Sequence, residues 1–240
     1  MKMPQISVII PVWNEAKQIE GLLRYLLATG CCAEIIVADG QSDDGTIDVV
    51  ERFAAQQATP VVPIVSVKRG RGAQMNAGAS VARGDTLFFL HADTYPPAGW
   101  HHVIAETVSR PNTSAGFFSY SLNTASIGLK IIELGVAIRS GVFNLPYGDQ
   151  GLFLSKSIFE DIGGFAEIPL MEDIEILQRL RKHGKLREAS LSVVTSARRF
   201  QKYGTLKTFT KDALISAAFH ARVSPQVLAR FYRFGNRQET

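Results

Sequence analysis

Cysteine is nearly absent: the 240 residues hold only Cys31 and Cys32. The two are adjacent and lack metal-ligand spacing, so they give no sign of a disulfide framework or an oxidising compartment and read as reduced, structural thiols. No run of about 18 apolar residues occurs, and no bilayer-spanning helix is expected. Met1 to Gln5 leads directly into an apolar segment without the apolar core and small-residue cleavage site of a signal peptide. The expected location is therefore the cytoplasm, with the inner face of the cell membrane as the alternative. There is no Walker lysine motif, no internal repeat and no low-complexity tract. Charge of either sign is in short supply, with 26 basic against 22 acidic residues and a net charge of +4. The excess sits in Arg69, Arg71 and the stretch after Lys182, which suits phosphates or lipid headgroups; no nucleic-acid partner is expected.

What is present is ordinary globular material, 46% hydrophobic and 20% charged, enough for one extended domain over residues 1–240. Ile6 to Val12 is an unbroken apolar, β-branched run, the pattern of a buried parallel strand. Ile19, Leu22, Leu23, Leu26 and Leu27 then follow at helical spacing, with Gly30 as a stop. The alternation repeats: strand Glu34 to Ala38, helix Thr46 to Gln57, strand Val61 to Val67, helix Ala73 to Ala82, strand Thr86 to Leu90. Strand and helix in alternation predict a doubly wound parallel sheet through the first hundred residues. Further on, strands are expected at Ala115 to Ser121 and Gly151 to Leu154, and helices at Ile127 to Arg139 and Glu172 to His183. The tail from Thr205 to Phe234 reads as two amphipathic helices broken near Ser224-Pro225.

In such sheets ligands bind beyond the carboxyl ends of the strands, and the polar residues gather there. Asn14 and Glu15 follow the first strand, Asp39 to Asp43 the second, Arg69 to Arg71 the third, and His91 to Asp93 the fourth. Ser42 or Asp43 could simply cap the next helix, which leaves Asp39 for recognition of a nucleoside. Arg69-Gly70-Arg71-Gly72 brings glycines, guanidinium groups and a helix start together, a phosphate-binding combination. It is not a dinucleotide fingerprint, because Met75 stands where the third glycine belongs. Asp93 ends an apolar strand and could offer its carboxylate to a hard divalent cation shared with substrate phosphates. Glu172 and Asp173 could equally serve the dipole of the helix they open.

At these residues the chain resembles the family 2 glycosyltransferases of the GT-A fold. Ser7-Val8-Ile9-Ile10-Pro11-Val12-Trp13-Asn14-Glu15 is similar to that family's opening strand, and Val37-Ala38-Asp39-Gly40-Gln41-Ser42 to its nucleoside-binding segment. Gly70-Arg71-Gly72 and Asn76-Ala77-Gly78 resemble its glycine loop, and Leu90-His91-Ala92-Asp93 its D-x-D motif. Gly148-Asp149-Gln150-Gly151 resembles its acceptor-side strand, and Met171-Glu172-Asp173 its Glu-Asp catalytic motif. The resemblance implies an α/β GT-A fold, a single Rossmann-like, mostly parallel sheet flanked by helices. Residues 1–110 would bind the donor, 111–200 the acceptor, and 201–240 would form a helical tail.

By the same resemblance the chain inverts configuration while moving one sugar from a nucleotide-diphosphate donor, uridine being the family's commonest base, to a hydroxyl acceptor. Pro11, Asn14, Glu15, Asp39, Ser42, Arg71, Gly72, Asn76, His91, Ala92 and Asp93 would form the nucleotide-sugar site. Asp93 and His91 would hold Mn2+ or Mg2+, and Asp173, next to Glu172, would be the catalytic base. His91 replaces the first carboxylate of D-x-D, and an imidazole favours manganese. No Gln-x-x-Arg-Trp motif is present, which argues against a processive synthase. The family's short bacterial members often use lipid-linked acceptors. The basic, apolar tail could accordingly meet a membrane surface, or pack on its own domain or at a homodimer interface, while Arg198, Arg199 and Lys202 could fold over the diphosphate. A sugar nucleotidyltransferase would need a basic glycine-rich loop where Trp13-Asn14-Glu15 stands. A non-catalytic nucleotide-sugar binder remains as a second reading, motivated by the incomplete D-x-D.

Overall fold

The computed structural model describes residues 3–122, 150–195 and 204–234. All seven residues of β1 (Ile6–Val12) are buried, as are all six of β2 (Glu34–Asp39) and all four of β4 (Thr86–Phe89). Strands apolar on both faces need cover on both faces. On one side α1 (Ile19–Thr29) buries Ile19, Leu22, Leu23 and Leu26 against Val8, Ile10 and Val12, joined by α2 (Thr46–Ala54) and Trp100. On the other side α3 (Arg71–Val81) packs Met75 and Ala79 near Ile9 and Ile36. Each fully buried aliphatic side chain contributes about 1.5–3 kcal/mol, so both layers matter to stability.

With β3 (Val61–Val65), the first four strands run parallel in the order β3-β2-β1-β4, as the alternation predicts. Beyond β4 the sheet becomes mixed. Next come β7 (Leu152–Ser155), antiparallel to β4, then β6 (Thr113–Leu122), antiparallel to β7, then β8 (Lys185–Thr195), parallel to β6. The two-residue β5 (Thr94–Tyr95) closes the edge. The fold is thus α/β, and four of the seven strand pairings are parallel. Because β7 runs backwards, its start lies at the same edge as the end of β4: Leu152 pairs with Phe89. That reversal brings Gln150 to the edge where the parallel strands present their loops.

The remaining helices are α4 (Trp100–Ser109), α5 (Lys156–Asp161), α6 (Glu172–His183), α7 (Thr205–His220) and α8 (Pro225–Phe234). The tail breaks where expected, with Pro225 opening α8 and the Ser224 hydroxyl accepting from Val227 N. Two expectations need trimming: the third strand stops at Val65, and the second helix ends at Ala54 rather than Gln57. The expected helix over residues 127–139 lies outside the described residues.

Candidate active site at the strand ends

The first cluster is built from the ends of β1 and β2. Asn14 takes a left-handed conformation (φ 56°), which asparagine tolerates better than most residues. Its backbone N–H donates to Ser42 Oγ at 2.8 Å, and its Oδ1 accepts from Asp43 N at 3.0 Å. Glu15 N donates to Thr46 Oγ1, and Ala16 N to Asp44 Oδ2. Asp39 is buried and accepts from both the backbone and the hydroxyl of Ser42. Neither Ser42 nor Asp43 caps α2, whose N-cap is the left-handed Gly45 with no side-chain cap bond. Asp44 instead accepts from Thr46 and Ala16, and these bonds, the Thr46 hydroxyl first, hold its carboxyl below the ordinary value. Beneath this turn Gln74, almost fully buried, donates to Val12 O at 2.7 Å and Ala38 O at 2.9 Å. Beside it Trp13 stays 61% exposed, a large ring held out at the sheet edge. Neither Gln74 nor Trp13 is singled out by the sequence motifs. Trp13 is visible in retrospect as an aromatic between an apolar strand and Asn14.

The second cluster forms where β4, α3 and α6 meet. His91 to Thr94 makes a tight turn closed by Thr94 N donating to His91 O at 3.1 Å, with Ala92 packed into the core and Asp93 half-buried. Part of His91 reaches solvent, yet enough protein encloses the ring that burial, reinforced by the Arg71 cation and opposed by Asp173, lowers its pKa to about 3. The imidazole is therefore neutral near pH 7, the form that can ligate a metal. Arg71 is the first residue of α3, and Glu172 the first of α6; they form an ion pair at 2.5 Å. Enclosure by protein works against the guanidinium charge, but Glu172 and Asp173 outweigh it and raise its pKa further. Asp173 is half-buried, and its Oδ1 accepts from Ile174 N at 2.8 Å.

Several sequence-predicted residues are occupied with the protein itself. The Asn76 amide grips the backbone of Phe165, donating to its carbonyl at 2.9 Å and accepting from its N–H at 2.8 Å. Gly72 lets the chain pass Ala166 O, which a Cβ would meet at 2.6 Å. Pro11 is buried beside Ala38 in the sheet. Gln150 is fully buried and donates to Phe118 O at 3.0 Å. Gly148, Asp149, Arg198, Arg199 and Lys202 lie outside the described residues.

For a divalent cation the candidate donors are the Asp93 carboxylate and the neutral His91 imidazole, which share one tight turn. Among the described residues no three His, Cys, Asp or Glu side chains come together as a metal cage. A hard cation held by one or two protein groups and completed by substrate phosphates fits such a donor set.

In the C-terminal hairpin, Leu214, Phe231, Val227 and Val223 stand exposed, whereas Ile215, Leu228 and Ala229 are buried. Lys211 donates to Tyr232 O at 2.9 Å and sits 4.3 Å from the centroid of that ring. No helix among the described residues is long and apolar enough to cross a membrane.

Comparison with known proteins agrees with this architecture. The family model described as glycosyl transferase family 2 matches residues 7–166. An undecaprenyl-phosphate 4-deoxy-4-formamido-L-arabinose transferase of Pseudomonas fluorescens is 33% identical over 160 residues, covering 60% of this chain and 44% of that protein. The succinoglycan biosynthesis protein ExoA of Rhizobium meliloti is 27% identical over 193 residues, covering 74% of this chain and 58% of that protein. Among solved structures, a mannosyltransferase from Pyrobaculum calidifontis in complex with GDP-Man and Mn2+ superposes with a TM-score of 0.65 at 20% identity, covering 82% of this chain and 57% of that one. S. aureus TarS in complex with UDP-GlcNAc gives 0.59 at 18% identity, covering 80% and 58%. The chain spans well under two thirds of each of these relatives.

Proposed function

Because the chain belongs to glycosyl transferase family 2, we propose that it moves one sugar from a nucleotide-diphosphate donor to an acceptor oxygen with inversion of configuration. The observation that carries this reading is the gathering of Asp173, Arg71 and His91 at the sheet edge that also holds Asp39. Asp39 retains lone pairs beyond those taken by Ser42 and would accept from a base or ribose. The exposed Trp13 ring offers a face on which the base can stack, an interaction worth about 1–3 kcal/mol. A divalent cation at Asp93 and His91 would neutralise charge on the departing diphosphate.

Asp173 is the proposed base. As the acceptor oxygen forms its bond to the anomeric carbon, the bond from that carbon to the diphosphate breaks and the electron pair leaves on the diphosphate. The acceptor proton passes to the Asp173 carboxylate. The GDP-Man and UDP-GlcNAc complexes of structural neighbours support a nucleotide-sugar donor. The undecaprenyl-phosphate transferase among the relatives supports a lipid-linked acceptor. Exposed Leu214, Val227 and Phe231, with exposed Arg222 and Arg230, give the tail a surface suited to anionic headgroups. The protein would then work on the inner membrane face as a peripheral, single-transfer enzyme.

Asp173→Asn tests this. With a hydroxyl acceptor, transfer should fall about 10²–10⁴-fold while nucleotide affinity holds. Unchanged transfer would remove Asp173 as the base and point to an acceptor that arrives already ionised, such as a lipid phosphate. Nucleotide binding without any transfer by the unaltered protein would favour the non-catalytic binder.

A further inference from the structure

We propose that Arg71 is a positioning residue: paired with Glu172, it mounts Asp173 and sets turnover rather than donor affinity. This rests on the transferase reading above. The glycine loop looks like a phosphate cradle in sequence, but its side chains face another task. Arg71 is ion-paired with the nearly inaccessible Glu172 at 2.5 Å. Lys68 pairs with Glu167 at 2.5 Å, Asn76 grips both backbone groups of Phe165, and Gly72 passes within touching distance of Ala166 O. Four contacts from residues 68–76 thus stitch one segment, residues 165–172, against the start of α3.

That segment leads directly into Asp173. α6 has no side-chain N-cap bond, and the residue before it, Met171, sits at φ 70°, a left-handed conformation that a side-chain-bearing residue adopts only when neighbours impose it. The position of the first turn of α6 is therefore set by tertiary contacts. Arg71–Glu172 is adjacent to Asp173 in sequence, and Arg71 is electrostatically coupled to it. Glu172 accordingly acts through Arg71 as a support, and Asp173 is left as the carboxylate that meets the acceptor.

The test measures nucleoside diphosphate release from UDP-GlcNAc or GDP-mannose with Mn2+, water serving as acceptor, beside the Kd of UDP or GDP by calorimetry. Arg71→Met should lower kcat about 100-fold, the usual penalty for a misplaced catalytic group, and change Kd by less than about threefold. Arg71→Lys should recover part of the loss. Glu172→Gln keeps the side-chain shape, so if Arg71→Met fails to fold it carries the test alone: it should show the same loss in kcat at unchanged Kd. Wild-type kcat in Glu172→Gln overturns the proposal. So does Arg71→Met with Kd weakened about tenfold or more and kcat unchanged at saturating donor, the signature of lost uniform binding. If the unaltered protein and Asp173→Asn release nucleotide at equal rates, Asp173 is not the base and the proposal falls with it; if the unaltered protein binds UDP or GDP but releases none from the donor, the transferase reading itself fails.

Discussion

Replacing Gln74 by Leu tests whether the turns proposed to bind nucleotide are held from beneath. Gln74 is 5% exposed, and its Nε2 serves two carbonyls on neighbouring strands, Val12 O at 2.7 Å and Ala38 O at 2.9 Å. These are the last peptide groups before Trp13-Asn14 on one side and Asp39 on the other. Leucine is close in size, so the change removes donors with little change in volume. Val12 O keeps a second partner, Gly40 N at 2.8 Å, and so should lose only about 1 kcal/mol, the net worth of an ordinary hydrogen bond. Ala38 O, which lies in the parallel β1–β2 ladder opposite Pro11, should lose a similar amount. The expected total is roughly 2 kcal/mol, or a Tm lower by roughly 4–8 °C for a domain of this size. Chemical denaturation and a thermal melt measure it, with UDP and GDP binding as the functional readout. Gln74→Glu should be worse, because it turns carboxylate oxygens toward two carbonyls. A loss below roughly 0.5 kcal/mol, the range of an ordinary surface change, would refute the argument.

Three further outcomes follow from the same structure. Burial, followed by the neighbouring Cys31 and Glu34, pushes the Cys32 thiol up to about 12, so at pH 8 only about one chain in ten thousand carries its thiolate. One thiol, the exposed Cys31, should react quickly with Ellman's reagent, and a second only in denaturant; two fast thiols would refute this. With His91 beside Asp93, Mn2+ should support turnover better than Mg2+; full activity with magnesium, or in excess EDTA, would count against a metal at that turn. Changing the exposed Leu214 and Phe231 to Ser should release the protein from phosphatidylglycerol vesicles without altering UDP or GDP binding, and unchanged vesicle recovery would remove the tail as a membrane contact.

Sequence reading recovers the elements whose pattern is local. β1 spans Ile6–Val12 and α6 spans Glu172–His183 as the apolar run and helical spacing predict. Four of the described elements, β5, α4, α5 and β8, go unread, the two longest of them for identifiable reasons. α4 carries Trp100, Ile104 and Thr107 on one buried face, but Pro96-Pro97 and the paired histidines obscure its start. β8 buries Leu186, Ala189, Val193 and Thr195 at uneven intervals, because its pairing with β6 shifts register, so no clean period of two is visible. In the candidate site the positions of acidic and basic residues at strand ends are legible, while their commitments are not. Arg71 and Glu172 are 101 residues apart in sequence, and Asn76 and Phe165 are 89 apart. No motif reveals that such side chains are already bonded.

The same distinction separates the two sides of the site. On the donor side the residues expected to touch nucleotide mostly bind one another: Asn14 to Ser42 and Asp43, Ser42 to Asp39, Asp44 to Thr46 and Ala16. A loop with its own hydrogen bonds made needs little ordering when ligand arrives, so less of the binding free energy is lost to entropy. What it would leave for the proposed nucleotide is narrow: the remaining lone pairs of Asp39 and the face of Trp13. Recognition there would depend on one carboxylate and one ring, set at fixed separation by the ends of two adjacent parallel strands. On the side proposed for catalysis the reverse holds. If contacts arriving from α3 position Asp173 as proposed, a change in that helix would reach it through packed atoms, with no need for the ligand to carry the signal.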